Sequence, residues 1–216
     1  NDNIVAAAFN DGYTQLWSSA RLFQWANVYQ PAARHYAGGY GYLNVGGAVS
    51  STFYTGGALS RTFGVGYYAR ALRFRGIDVK EDTFAPFGDD PVLLDQVTLR
   101  NTGAARRRVS WIEYWDVNPF DQVSGAAGNV GLRVPVWSAR SGTLSVLQND
   151  AAWGDTKPLT IFAAALAGPV DGHETSLTRF FGHGTRARPA EVVSDRLSGS
   201  MAPASPAHRP GSTLFA

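Results

Sequence analysis

Apolar and polar residues alternate with a period of two along much of the chain, and glycine, proline and Asn/Asp pairs interrupt the alternation at short intervals. Runs rich in β-branched or aromatic residues cover 49–54, 71–74, 77–84, 92–100, 109–117, 132–137, 143–147 and 159–166, and each predicts a strand. Between them stand Gly56-Gly57, Arg75-Gly76, Gly88-Asp89-Asp90-Pro91, Asn101-Thr102-Gly103, Asn118-Pro119, Ser141-Gly142 and Gly154-Asp155, all turn-forming compositions. In one run Leu93, Val97 and Leu99 share a face opposite Gln96, Thr98 and Arg100. In another, Val109, Trp111 and Trp115 oppose Ser110, Tyr114 and Asp116, which predicts a single layer for the two tryptophans. The intervening Asn101-Thr102-Gly103 predicts a hairpin between these two runs, with Gly103 at positive φ. No long stretch repeats apolar residues every 3.6 positions with caps at both ends, which argues against a helical bundle or a doubly wound α/β fold. The pattern predicts an all-β protein, a large antiparallel β-sandwich formed by residues 1–216 as a single domain.

Length and composition agree. A chain of 216 residues matches one large all-β domain, and 44% hydrophobic residues with 24 glycines and 11 prolines supply core and turns together. From Gly182 onward Pro, Ala, Ser and Arg dominate, predicting an irregular segment that wraps a surface. Leu214-Phe215-Ala216 then reads as the start of a further strand, and the sequence is expected to continue beyond it.

Charge and cysteine content narrow the chemistry. The 19 basic and 17 acidic residues leave a net charge of +2, too weak a field to indicate a nucleic acid or an anionic membrane as partner. Arg106-Arg107-Arg108 reads as a solvated turn before a strand. With no cysteine there is no disulfide, no thiolate nucleophile and no Cys-ligated zinc. The longest apolar run, 161–167, is shorter than the ~18 residues that a membrane span requires. A soluble, cytoplasmic protein is expected.

Candidate chemical groups are sparse. Asp89-Asp90, set between Gly88 and Pro91, suits a turn better than a catalytic carboxylate pair. Glu113 and Asp116 fall on opposite faces of a regular strand, so Glu113 reads as a partnered carboxylate beside the tryptophans. The four histidines lack metal-ligand spacing, and Asp171-Gly172-His173-Glu174 reads as a surface turn although its oxygens suit calcium. The glycine clusters at 38–41 and 64–66 lack a phosphate-binding lysine. No catalytic residue and no metal ligand is therefore assigned. Tyr13, Trp17, Gln24, Trp25, Asn27, Tyr29, Tyr36, Tyr40 and Tyr42 crowd the opening third. Their rings can stack on sugars while the amides satisfy hydroxyls, or they can fill the core of the sandwich.

Three blocks carry a family resemblance: Ala37-Gly38-Gly39-Tyr40-Gly41-Tyr42, Phe84-Ala85-Pro86-Phe87-Gly88-Asp89-Asp90-Pro91-Val92, and Val97-Thr98-Leu99-Arg100-Asn101-Thr102-Gly103. The last leads into Ser110-Trp111-Ile112-Glu113-Tyr114, and Asp171-Gly172 and Arg179-Phe180-Phe181-Gly182 follow in order. Together, over residues 37–185, they resemble the amino-terminal domain of glycoside hydrolase family 94, which includes cellobiose, chitobiose and 1,2-β-oligoglucan phosphorylases. The resemblance implies a supersandwich of the galactose-mutarotase type, inactive alone, ahead of an (α/α)6 barrel holding the catalytic acid. It further implies a homodimer acting on a β-glucan oligosaccharide, with inorganic phosphate as co-substrate and no other cofactor. Gly38, Gly39, Tyr40 and Tyr42 would lie on the side facing the barrel and join Trp25 as substrate-binding candidates. Gly41-Tyr42-Leu43 departs from the Ser-Phe-Tyr of the disaccharide enzymes, which favours an oligoglucan substrate.

Overall fold

The structure is a computed structural model that describes residues 3–18, 24–53, 58–121, 126–127, 135–148, 159–199 and 213–216. In chain order the strands begin with β1 (Ile4–Ala8), β2 (Thr14–Ser18), β3 (Gln24–Trp25), β4 (Tyr29–Gln30), β5 (His35–Tyr36) and β6 (Gly38–Val45). There follow β7 (Ala48–Ser51), β8 (Leu59–Gly64), β9 (Tyr67–Phe74), β10 (Ile77–Phe84), β11 (Leu94–Asn101) and β12 (Val109–Val117). The last are β13 (Phe120–Asp121), β14 (Ala126–Ala127), β15 (Val136–Ser138), β16 (Thr143–Gln148), β17 (Leu159–Ala164) and β18 (Thr213–Phe215), with short helices α1 (Leu177–Phe181) and α2 (Ala190–Ser194) before β18. The strand spans expected at 77–84 and 109–117 are met residue for residue, and those at 71–74, 92–100, 143–147 and 159–166 within a few residues. The turns expected at Gly56-Gly57 and Gly154-Asp155 lie outside the described residues.

Two antiparallel sheets face each other at the centre, ordered β11-β10-β9-β8 and β18-β12-β6-β7. Between them Leu43 and Val45 of β6 pack on Leu72, Ile77 and Val79 of β9 and β10. The even positions of β6 and β12 point the other way. There Tyr40, Tyr42, Ile112 and Tyr114 join Phe180, Phe181 and Val192 of the helical segment in an aromatic core. Because β6 is covered on both faces, all eight of its residues are buried. The three-stranded sheet β15-β16-β17 adds a third cluster, with Leu144 and Val146 against Val117 and Phe215.

The β9–β10 hairpin turns on Arg75 and Gly76, at φ 47° and 77°, a pair of left-handed residues that matches the twist of the flanking strands. The hairpin expected between β11 and β12 does not form. Among the described residues β11 pairs only with β10, whereas β12 pairs with β6 and β18, so residues 102–108 carry the chain from one sheet to the other. Gly103 is absent from the positive-φ residues. The reason lies in the two faces of β12. Trp111 and Val109 pack on one side while Ile112 and Tyr114 pack on the other, so the strand needs an interior place in its sheet. The exposed Gln96, Thr98 and Arg100 suit β11 to an edge.

The expected single tryptophan layer also divides. Trp111 packs in the inter-sheet cluster and Trp115 in the third one, with a register shift at Tyr114/Trp115 between them. The segment after Gly182 penetrates further than a surface wrap: Pro189, Glu191 and Val192 are buried, and Asn44 Nδ2 donates to the Val192 carbonyl at 2.7 Å. Among the described residues, no helix is long and apolar enough to cross a membrane.

Candidate functional site

The Ala37-to-Tyr42 segment owes its shape to its small residues. Ala37, Gly38 and Gly39 stand at φ 59°, 134° and 69°, and Gly39 is the extra residue where Tyr114 pairs with Tyr40 but Trp115 pairs with Gly38. A Cβ on Gly38 would fall 2.6 Å from Trp115 Cα, and one on Gly39 would fall 2.8 Å from Thr14 Cβ. The backbone amide of Asp116 donates to the Ala37 carbonyl at 2.6 Å, fastening the bulge to β12.

The predicted substrate-binding residues take different places. Tyr40 and Tyr42, 1% and 0% exposed, are enclosed in the aromatic core, and Tyr42 Oη donates to the Arg186 carbonyl at 2.8 Å. Burial pushes both hydroxyls well above the usual tyrosine range. Gly38 and Gly39 are buried beneath Trp115. Trp25 is half-buried on a different sheet, opposite Trp17 in register, with ring centroids 6.4 Å apart and planes inclined by 43°. Of the five, it alone keeps accessible surface. Asn27 spends its amide on the backbone, donating to Thr14 O at 2.9 Å and accepting from Leu16 N at 2.8 Å. Tyr29 and Tyr36 gather with Phe53 about Arg186, whose guanidinium lies 4.7 Å from the Phe53 ring, 5.6 Å from Tyr36 and 5.7 Å from Tyr29, and Tyr13 stacks on Tyr29.

The acidic candidates resolve into structural partners. Asp89 and Asp90 are exposed in a turn closed by Val92 N donating to Asp90 O at 2.8 Å. Asp116 is buried and accepts from the Tyr36 amide at 3.1 Å, with its Oδ2 3.0 Å from His35 Nδ1. Glu174 is fully buried, unlike a surface-turn residue, and its Oε1 accepts from the Thr175 and Ser176 amides at 2.8 and 2.6 Å.

A constellation absent from the sequence reading lies between the two central sheets. Arg70 on β9 is 1% exposed, and its Nη2 lies 2.8 Å from Oε1 of Glu81, which is 0% exposed. Arg70 Nη2 also donates to Thr83 Oγ1 at 3.0 Å, and Thr83 donates onward to Asp95 Oδ1 at 2.9 Å. From the facing sheet Glu113 joins them, accepting from Trp111 Nε1 at 3.2 Å, so the partner expected for this carboxylate beside the tryptophans is Trp111. Carboxylate oxygens of Glu81, Asp95 and Glu113 all lie within 4.8 Å of one another. Burial pushes the Glu81 carboxyl well above its ordinary range against the pull of Arg70. Burial, then repulsion from Asp95 and Glu81, does the same for Glu113. Glu81 Oε1 and Oε2, Asp95 Oδ2 and Glu113 Oε1 are closed to solvent, so these oxygens cannot reach a sugar outside. Arg70 Nη1 donates to the Gly12 carbonyl at 3.0 Å and to that of Gly39, tying the bulge to the ionic group. The signal was available in the strand pattern, since Glu81 shares the face of Ile77 and Val79, and Arg70 that of Tyr68 and Leu72.

Stacked antiparallel sheets, a helical plug and charged groups turned inward define a β-sandwich domain. The chain matches the glycosyl hydrolase 94 supersandwich domain over residues 8–205 and belongs to that family. It is thus a non-catalytic domain of a family 94 enzyme. No curated protein matches it.

Proposed function

We propose that this domain forms one wall of the sugar cleft in an inverting phosphorylase that acts on β-linked gluco-oligosaccharides. The family match over residues 8–205 carries the reading. The enclosure of the Glu81, Asp95 and Glu113 oxygens supports it, because a domain that turns these acids inward leaves glycosidic chemistry to a neighbour. That neighbour is an (α/α)6 barrel. Inorganic phosphate attacks the anomeric carbon while a barrel acid protonates the departing glycosidic oxygen, giving glucose 1-phosphate and a shortened glucan. The domain contributes a stiff Ala37-to-Tyr42 segment beside the cleft, Trp25 as an accessible ring, and a homodimer contact, in a cytoplasmic enzyme.

The test uses the full-length protein with β-glucan oligosaccharides and phosphate. Phosphate-dependent release of glucose 1-phosphate is expected, and the 216-residue chain alone should release nothing. Sugar release that ignores phosphate would replace this reading with a hydrolase or transglycosylase of the same architecture. Sedimentation of the full-length protein checks the dimer.

A further inference from the structure

The group around Arg70 is where three sheets meet. Arg70, Glu81, Thr83 and Asp95 belong to β9, β10 and β11, Glu113 and the Gly39 carbonyl to the facing sheet, and the Gly12 carbonyl to the β1–β2 turn. Its charges do not cancel. Three carboxylates against one guanidinium leave a deficit of two positive charges around the fully buried Glu81, beside the half-buried Asp95 and Glu113, and an uncompensated charge on oxygens closed to water is far costlier than a neutral group. The other polar groups facing it do not fill the deficit. Thr52 and Trp111 are neutral donors toward Glu81 and Glu113. Arg61, opposite Arg70 in register, acts on the buried Tyr68 hydroxyl, which the Arg70 guanidinium also overlies at 4.9 Å.

We propose that Glu81 and Glu113, clustered with Asp95, each hold a proton in the folded domain at neutral pH, making the joint between the sheets and the Arg70 tether on Gly39 a pH-sensitive device. Two protons on three carboxyls leave one negative charge for Arg70, and carboxyl–carboxylate hydrogen bonds occupy buried oxygens such as Asp95 Oδ2 and Glu113 Oε1. The raised ranges of Glu81 and Glu113 agree with this loading. Folding then takes up protons that the unfolded chain lacks above the ordinary carboxylate range. Stability from the trio is fully present below that range and is lost as pH rises through the raised folded values. Deprotonation sets like charges against each other across the sheet interface and loosens the hold on the bulge.

The experiment is urea unfolding of the 216-residue chain from pH 5 to pH 9, beside Glu81→Gln and Glu113→Gln, whose amides imitate a protonated carboxyl. In the wild type the folded-to-unfolded ratio should fall by up to about a hundredfold per pH unit between the ordinary carboxylate range and the raised folded values, where unfolding releases both protons, and by about tenfold in either variant. Other raised groups, Asp116 and Glu191 among them, contribute equally to all three chains and drop out of the comparison. Infrared spectra of the native wild type at pH 7 should show a protonated-carboxyl stretch that weakens in each variant that folds. Equal pH slopes in wild type and variants, or no such stretch in the wild type, would overturn the proposal. So would a calcium-, magnesium- or manganese-dependent rise in melting temperature that chelation abolishes and Glu113→Gln removes, since a divalent cation would then supply the two missing charges.

Discussion

The indole of Trp111 fills the space that a side chain on Gly41 would need: a Cβ there would fall 1.9 Å from Trp111 Cζ2. The two residues sit on adjacent strands, and Trp111 is held in place by the inter-sheet cluster and its bond to Glu113. Gly41→Ala is therefore expected to destabilise the domain by about 2–3 kcal/mol, toward the upper end of overpacking costs. Adding Trp111→Leu to the same chain removes the ring and should recover part of the loss, as measured by urea denaturation. Equal stability of Gly41→Ala and wild type would show that the indole can move aside.

Asp116 holds the approach to the bulge. Its carboxylate takes the half-buried His35, the Tyr36 amide and, at 3.4 Å, the buried Tyr114 hydroxyl. Asp116→Ala strands those donors without an acceptor and is expected to cost about 3–5 kcal/mol. Asp116→Asn keeps one acceptor oxygen and should cost less, about 1–3 kcal/mol. Denaturation midpoints for the two variants decide the order, and the reverse order would mean that the carboxylate is not the centre of this contact.

Two phenylalanines separate packing from exposure. Phe180 is 0% exposed and stacks on Tyr114 with ring centroids 5.4 Å apart, whereas Phe87 is 108% exposed in the loop between β10 and β11. Phe180→Ala should cost about 3–5 kcal/mol through the cavity it leaves. Phe87→Ala should stay within about 0.5 kcal/mol of wild type by calorimetry. A large loss at Phe87 would mean that this loop packs on something within the chain.

β7, the second half of β9, and β10 to β12 were legible where period-two alternation met clear turns, whereas β8 (Leu59–Gly64) was missed. β6 was not legible either, although it is the most enclosed strand, because Gly38, Gly39 and Gly41 dilute its apolar run and leave Tyr40, Tyr42, Leu43 and Val45 looking isolated. The partners of β12 were also hidden. A turn composition at residues 101–103 marks a change of direction, but which sheet receives the next strand depends on both faces of β12 finding cover. Glu113 beside a tryptophan could be read locally, two positions along one strand. The meeting of Glu113 with Glu81 and Asp95 could not, because it needs the register of β10 with β11 and the stacking of two sheets. The enclosure of Tyr40 and Tyr42 likewise depends on Phe180 and Phe181, far along the chain.

Arg70 and Arg73 lie three positions apart on β9 and each meets a carboxylate of β10, yet their surroundings differ completely. Arg73 reaches Asp78 with side chains 71% and 34% exposed, where water screens the pair and competes for both partners. Arg73→Met should leave the denaturation midpoint unchanged within error. Arg70 reaches Glu81 with both side chains at 0% exposure, and it also bonds Gly12, Gly39 and Thr83. Arg70→Met removes the cation paired with Glu81 in the acid trio, and the loss is expected to be about 3–5 kcal/mol at pH 7. The trio can answer only by taking up a further proton, which is easier in acid, so the deficit of this variant should shrink between pH 7 and pH 5. A deficit that stays constant over that interval would mean that Arg70 acts through its backbone-carbonyl bonds alone and that its charge does not matter to the acids beside it.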